Sequence, residues 1–188
     1  GHAGCKMLQI YGGIDSEFLA GFPMRSEQDV PGTLQSFIRH HGAMKGLMSD
    51  NAKSETSLTM GELLKQYCIA DRQSEPHYQH QNPIERRIQD IKKSTNLILD
   101  QVGCDKRYWL ICTQYVIGLF NVLVNSKGDI PKSVVTGEVT DISAYLSFHF
   151  WEHVFVPDGS NNKKEVLARW CGPAENIGDV LTYWVLLP

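Results

Sequence analysis

The sequence lacks the patterns that mark secreted, disulfide-bonded and zinc-binding proteins. It has five cysteines but no C-x-x-C pair, and their count is odd and their spacings wide. This argues against a disulfide framework and against a thiolate zinc site. No charged segment followed by an apolar one stands at the amino terminus, so nothing indicates export. We therefore expect an intracellular protein with reduced thiols.

The sequence also lacks a long hydrophobic run and an excess of basic charge. Its most apolar segment, residues 108–124, contains Gln114 and Asn121 and is shorter than the roughly 20 apolar residues that cross a membrane. We expect a buried or partner-facing helix there and no membrane partner. The formal net charge is −3, so any nucleic-acid partner has to be bound by a local basic face.

The length, the hydrophobic fraction and the predicted order of helices and strands suit one compact domain with a small appendage. The chain has 188 residues and a hydrophobic fraction of 42%, enough for a real core. The patterns predict strands at 6–13, 17–24 and 44–48, and helices at 26–42, 59–71, 82–103 and 108–124. This order indicates an α/β or α+β layered core over residues 1–142. Aromatic and β-branched residues then predict a β-rich appendage over residues 143–188.

The helix at 82–103 has the clearest boundaries. Asn82 is a good N-cap, Pro83 suits the first helical position and Glu85 follows three residues after the cap. Gly103 ends the helix, and Asp105 can cap the next one. One apolar stripe is predicted, consisting of Ile84, Ile88, Ile91, Ile98 and Val102. A polar row is predicted beside it, consisting of Glu85, Gln89, Lys92 and Asn96.

Two carboxylates stand at positions where elements of a layered fold can bring them together. Asp50 follows the short strand at 44–48, and Glu85 lies in the first turn of the helix at 82–103. A two-metal phosphoryl-transfer site needs hard oxygen ligands of this kind, and Lys92 can then face a phosphate. Taken singly, Asp50 can be a turn residue and Glu85 a capping-box residue.

The stretch "SDNAKSE", followed at this spacing by "QNPIERRIQDIKK", resembles the Asp–Glu half of the catalytic motif of retroviral-type integrases. The copia-type retroelement branch is the most similar. Further stretches resemble the same proteins, namely "SEFLAGFPMRSEQDVPGTLQSFIRHHG", "YWLICTQYVIGLFN", "VVTGEVTDISAYLSFHFWE" and "RWCGPAENIGDVLTYWVL". The resemblance implies an α/β, ribonuclease H-like integrase core, with a mixed sheet and flanking helices, ahead of a small β-rich appendage. It also implies an integrase that belongs to a retrotransposon polyprotein and that carries out DNA 3′-end processing and strand transfer by two-metal phosphoryl transfer.

The resemblance also implies roles for individual residues. Asp50 and Glu85 are the expected catalytic ligands of Mg²⁺ (or Mn²⁺), and the DNA-binding residues are expected to be Lys92, Lys93, Arg86, Gln89 and Asn51. The expected partners are DNA and further copies of the chain, with no small-molecule substrate and a site of action in the nucleus. The family's first catalytic Asp lies on a strand before the one at 6–13. Asp15 lies in a turn, so we expect that first Asp to be missing and this chain alone to be inactive.

Three other interpretations follow from the residues. The chain can be a non-catalytic remnant of the same fold that binds DNA or partner chains. "HFWEH", His149–His153, matches the H-x-x-E-H signature of zinc metalloproteases. That chemistry needs a helix, whereas the surroundings predict a strand, on which the two histidines stand about 13 Å apart. We expect Arg87 to lie on a solvated helix face, and His77 and His80 to be surface or substrate-contact residues.

Overall fold

The computed structural model describes residues 4–49, 58–73, 83–158, 161–175, 177 and 181–188. Its strands are β1 (Met7–Gly12), β2 (Leu19–Met24), β3 (Gly46–Ser49), β4 (Ala70–Gln73), β5 (His153–Asp158), β6 (Asn161–Pro173) and β7 (Tyr183–Leu186). Its helices are α1 (Val30–His41), α2 (Leu58–Gln66), α3 (Pro83–Gln101), α4 (Trp109–Val122), α5 (Pro131–Thr136) and α6 (Ser143–Leu146). Within these residues β1 pairs antiparallel with β2, β3 pairs parallel with β4, and β5, β6 and β7 form an antiparallel sheet.

The β1–β2 hairpin has helices on both faces, because its side chains alternate between two apolar clusters. Tyr11 and Met24 belong to a cluster formed with α1 and α2, whereas Leu19 belongs to a cluster formed with α3 and α4. A Cβ atom on Gly21 would lie 2.7 Å from Cδ1 of Ile117 in α4. Glycine at this position therefore permits the close approach of α4 to the sheet.

Helix α4 is buried against β2. Its polar residues Asn121 and Gln114 form hydrogen bonds with backbone groups of that strand. Asn121 accepts a hydrogen bond from the Leu19 N–H at 2.8 Å and donates one to the Leu19 carbonyl at 2.7 Å. Gln114 donates to the Gly21 carbonyl at 2.8 Å. Pro23 on the same strand has no N–H to leave unpaired. The outer edge of β2 is thus closed by side chains of α4. No helix within the described residues is long and apolar enough to cross a bilayer.

The inward face of α3 differs in part from the predicted stripe. Ile91, Thr95 and Leu99 are buried, whereas Val102 is 37% exposed. The buried line follows the spacing of a straight α-helix, and Val102 lies beyond the last residue of α3, where the chain turns away. Thr95 is accommodated because its hydroxyl donates to that of Thr113 on α4 at 3.4 Å.

Two segments depart from the predicted elements. The helix predicted at 59–71 ends at Gln66, and Ala70–Gln73 form β4. Cys68 has a φ of 53°, which stops the helix, and Tyr67 just before it is exposed. The surroundings of "HFWEH" are predicted to form a strand, but α6 ends at Leu146, a turn follows, and the strand begins only at His153. The short helix α5 was not predicted either.

The strands β5, β6 and β7 pack against α4 through aromatic rings. Trp170 of β6 is the largest fully buried side chain of this region. Its ring meets that of Tyr115 on α4 edge-on at 5.6 Å between centroids, and Tyr115 stacks on Phe150 at 5.3 Å. This contact fixes the carboxyl-terminal sheet against the helix that also supports β2.

Candidate metal and nucleic-acid site

Glu85 lies in the first turn of α3, and the start of that helix is fixed against the end of β1. A Cβ atom on Gly12 would come within 2.3 Å of Cδ1 of Ile84, so glycine is what lets α3 begin directly over the strand. Glu85 is exposed and takes part in none of the ion pairs of the described residues. Its carboxylate therefore faces solvent at the rim of the sheet.

The strand that leads to Asp50 reaches the same place. Met48, two residues before Asp50, and Ile84, one before Glu85, line one cavity of about 370 Å³. The turn after β1 closes this cavity on a further side, through Gly13 and Asp15. Asp50 and Asn51 themselves lie outside the described residues, as do His77, His80 and Asn82. The end of β3 and the start of α3 thus meet at one cavity.

The polar row of α3 runs away from this cavity on the outer surface. Its members are all exposed, namely Glu85, Gln89, Lys92 and Asn96. Arg86 and Lys93 flank the row and are exposed as well. Lys92 and Asn96 also line a second cavity, of about 640 Å³, between α3 and β1. The exposed basic side chains Arg86, Lys92 and Lys93 therefore lie along α3, on or beside the polar row that begins at Glu85.

Arg87 does not lie on a solvated face, so that expectation is wrong. Its guanidinium forms an ion pair with Glu17, and the two side chains are only 25% and 17% exposed. Lys127 lies 3.4 Å from the same carboxylate and donates to the Asp15 carbonyl at 3.3 Å. These contacts tie the hairpin turn to α3 and to the loop after α4. Neither Glu17 nor Lys127 was singled out in the sequence, because nothing local signals a partner so distant along the chain.

The H-x-x-E-H segment lacks the geometry of a zinc protease. Its first four residues form a turn, in which Glu152 accepts a hydrogen bond from the His149 N–H at 2.8 Å. Trp151 in this turn has a φ of 68°, which is incompatible with a helix. His153 lies on β5 and its Nδ1 is 3.2 Å from the guanidinium of Arg169. In the described part of the chain, no group of three or more His, Cys, Asp or Glu side chains is arranged to hold a metal ion.

Comparison with known proteins gives the fold. No protein-family model and no curated protein matches the chain. The catalytic core domain of the HTLV-2 integrase, solved in complex with magnesium and in dimeric form, is similar in structure. It matches with a TM-score of 0.57 and 15% sequence identity, over 69% of this chain and 83% of that chain.

The chain has an integrase-like fold. The prediction of an integrase-like α/β architecture is thereby confirmed at the level of the fold. Within this integrase-like fold, Met48 and Ile84 line the same cavity, and the convergence of Asp50 and Glu85 stays a prediction.

Proposed function

We propose that this chain is part of a copia-type retroelement integrase with a ribonuclease H-like core, and that its substrate is DNA. The observation that carries the proposal is the cavity shared by Met48 and Ile84. It joins the strand before Asp50 to the helical turn that holds Glu85, within an integrase-like fold. We assign residues 1–142 to the catalytic core and residues 143–188 to a β-rich appendage.

In this proposal Asp50 and Glu85 hold Mg²⁺ (or Mn²⁺). The two carboxylates fit these ions, because hard cations prefer carboxylate oxygens as ligands. Glu85 is exposed, and it forms no ion pair with a basic side chain of the described residues. When bound, two such ions activate the attacking oxygen and stabilise the leaving oxygen of a phosphoryl transfer. The nucleophile of strand transfer would be the 3′-hydroxyl of DNA. The carboxylates of Asp50, after β3, and Glu85, at the start of α3, would hold the ions.

The DNA backbone then runs along the outer surface of α3. Lys92, Lys93 and Arg86 provide charge for phosphate oxygens, and Gln89 and Asn51 provide hydrogen bonds. The small number of cations and the net charge of −3 predict weak, salt-sensitive binding, with a salt slope that corresponds to only a few phosphate contacts. We further propose that the chain acts as a homo-oligomer in the nucleus, where its DNA substrate lies.

A third carboxylate completes the catalytic set in this proposal, and Asp15 does not supply it. Asp15 is exposed in the turn after β1, and its carbonyl is bonded by Lys127. Asp50 and Glu85 alone would offer too few oxygen ligands to hold two divalent cations. The 188-residue chain alone is therefore expected to bind one ion weakly and to show no strand transfer.

Metal binding gives the first test. Water-proton relaxation with Mn²⁺ should detect weak binding to the chain, and Asp50→Asn and Glu85→Gln should each weaken it at least tenfold. Glu62→Gln, which removes an exposed carboxylate of α2, serves as the control and should leave binding unchanged. Equal binding by all four proteins would exclude the assigned ligands.

DNA binding gives the second test. Fluorescence anisotropy on duplex DNA over a salt series should show that Lys92→Ala lowers the salt slope by about one phosphate contact. Lys65→Ala on the exposed face of α2 is the matched control and should leave the slope unchanged. An unchanged slope in the Lys92 variant would remove α3 as the DNA-binding surface.

Strand transfer gives the third test and separates the enzyme from a non-catalytic remnant of the same fold. A longer chain that includes the expected strand before residues 6–13, with the first catalytic Asp, should join DNA ends with Mg²⁺ or Mn²⁺. Glu85→Gln in that longer chain should abolish the reaction. Robust activity of the 188-residue chain would show that the third carboxylate lies within it, with Asp15 the leading candidate. Inactivity of the extended chain, with DNA binding intact, would support the remnant.

A further inference from the structure

Glu17 lies in the turn between β1 and β2, in a backbone conformation that disfavours it. Its φ is 57°, in the left-handed region where glycine is the usual residue. The turn is closed by backbone hydrogen bonds, because the Glu17 N–H donates to the Gly13 carbonyl at 3.0 Å and the Gly13 N–H donates to the Phe18 carbonyl at 2.8 Å. A glycine would adopt this conformation without strain. A strained residue in such a turn points to a use for its side chain.

The carboxylate of Glu17 joins three parts of the fold. It pairs with the guanidinium of Arg87 in α3 and lies 3.4 Å from Nζ of Lys127 in the loop after α4. The same Nζ donates to the Asp15 carbonyl of the hairpin turn at 3.3 Å. Glu17 is 17% exposed and Arg87 25% exposed. Salt and water therefore screen this pair less than they screen a pair on the open surface.

Lys127 belongs to a loop that is itself held by hydrogen bonds. The side-chain oxygen of Asn125 accepts from the Lys127 N–H at 2.9 Å and from the Asp129 N–H at 3.0 Å. The Asn125 N–H donates to the Asp129 carbonyl at 2.8 Å. The loop follows α4, whose Asn121 is bonded to Leu19 of β2. The lysine thus lies on a rigid support that is joined to the sheet.

The hairpin contacts the start of α3 at a second point as well. Ile84 packs over Gly12, where a Cβ atom would lie 2.3 Å from Cδ1 of the isoleucine. Ile84 and Arg87 are three positions apart, so they share one face of the helix. Glu85 lies about 100° around the helix from Ile84 and is exposed. Two points of attachment fix the tilt and the rotation of this turn, and with them the position of the Glu85 carboxylate.

A small rotation of this turn is enough to move a metal ligand out of reach. A side-chain atom about 6 Å from the helix axis moves by about 2 Å when the helix rotates by about 20°. That displacement is as long as a Mg²⁺–oxygen bond of about 2.1 Å. An apolar contact at one point does not prevent such a rotation, whereas an ion pair at a second point does.

We propose that Glu17 is a positioning residue for Glu85. Its carboxylate, bound by Arg87 and Lys127, holds the start of α3 in the rotation that presents Glu85 to a divalent cation. Glu17 acts through Arg87 and the helix, and it is not one of the assigned ligands. The inference rests on the proposed function, because it takes Glu85 to be a ligand of the ion.

The direction of the effect at Arg87 tests the proposal. Arg87→Ala removes a positive charge two residues from Glu85, so electrostatics alone would tighten the binding of Mn²⁺. Positioning predicts the opposite, and we expect the Mn²⁺ affinity measured by water-proton relaxation to fall at least about threefold. Arg87→Lys keeps a cation for Glu17 and should recover part of the loss. Lys65→Ala, on the exposed face of α2, is the control and should leave the affinity unchanged. Tighter or equal binding in Arg87→Ala would overturn the proposal.

Two variants of Glu17 separate position from stability. Glu17→Gln and Glu17→Gly both remove the carboxylate, but glycine also relieves the left-handed backbone conformation. The glycine variant should therefore melt at a higher temperature than the glutamine variant. The Mn²⁺ affinity should fall to the same extent in both, because it depends on the carboxylate. An affinity that instead follows the melting temperature would show that Glu17 contributes stability alone, and would overturn the proposal.

Hydrogen exchange distinguishes failure of this inference from failure of the proposed metal site. The Ile88 and Gln89 amides should exchange faster in Arg87→Ala and in Glu17→Gln, whereas amides near the other end of α3 should not change. When Glu85→Gln is already present, Arg87→Ala should cause no further loss of Mn²⁺ affinity. Unchanged Mn²⁺ binding in Glu85→Gln alone would overturn the metal site, and the exchange rates would then show separately whether Glu17 holds the helix. Unchanged exchange rates, with Glu85 established as a ligand, would overturn the positioning role alone.

Discussion

The carboxamide of Asn121 binds both backbone groups of Leu19. Its oxygen accepts from the Leu19 N–H at 2.8 Å and its nitrogen donates to the Leu19 carbonyl at 2.7 Å. Both residues are buried. A side chain from α4 thus takes the place of a neighbouring strand along the edge of β2.

Removal of this side chain is expected to destabilise the fold. Asn121→Ala leaves two buried backbone groups unpaired, and each costs about 1–3 kcal/mol. We expect the free energy of unfolding in urea to fall by about 2–4 kcal/mol. Asn121→Asp keeps the acceptor but loses the donor, so its loss should be smaller at low pH, where the carboxyl is protonated. Asn96→Ala, on an exposed site of α3, should change stability by less than about 0.5 kcal/mol, and an equal loss there would contradict the assignment.

The approach of α3 to β1 depends on the absence of a side chain at Gly12. A Cβ atom there would lie 2.3 Å from Ile84 Cδ1, and Gly12→Val should cost about 1–3 kcal/mol because the helix start has to move. The double variant Gly12→Ala/Ile84→Ala should be less destabilised than the sum of its single changes. Gly32→Ala in α1, where nothing lies within 4 Å of the added atom, should raise stability by up to about 1 kcal/mol. Strict additivity in thermal unfolding would show that these two residues do not interact.

The ion pair between Arg87 and Glu17 should contribute more than an exposed pair. Because both side chains are largely shielded from solvent, a double-mutant cycle with Arg87→Ala and Glu17→Ala is expected to give a coupling of about 1 kcal/mol. The coupling should fall as salt is added. The pair of Arg107 and Asp105, with side chains 69% and 58% exposed, is the reference and should give less than about 0.5 kcal/mol. Equal couplings would mean that shielding adds nothing here.

The three buried thiols should react more slowly than the exposed thiol of Cys68. Burial raises the pKa of Cys112 to about 12 and that of Cys171 to about 11, and burial also raises the pKa of Cys104. Since the thiolate is the reactive form, these three should react slowly at pH 8. Exposed Cys68 should react fast with a disulfide reagent, and Cys68→Ser should remove that fast phase. Denaturant should make all five reactive at similar rates, and fast reaction of Cys112 in the folded chain would contradict its burial.

Local patterns in the sequence determined much of the fold. The apolar runs at 6–13 and 17–24 predict the strands β1 and β2, and the structure confirms both. The dense apolar residues of α4 predict its burial, and Gly103 and Asp105 predict the break between α3 and α4. Asp105 does cap the next turn, where its side chain accepts a hydrogen bond from the Arg107 N–H at 2.8 Å. These features depend on neighbours a few residues away, and such neighbours are visible in a sequence. The convergence of Asp50 and Glu85 depends on residues far apart in the sequence and stays a prediction.

Other features were decided only by tertiary structure. β4 is short and has no alternation that separates it from the preceding helix, and it forms because β3 lies beside it. Val102 is exposed because α3 ends before it, and Leu99 is buried because it packs in one core cluster with residues of α4. Arg87 is paired because the hairpin turn places Glu17 against α3. In each case the deciding partner is remote in sequence, so the energy that selects the conformation exists only once the chain has folded.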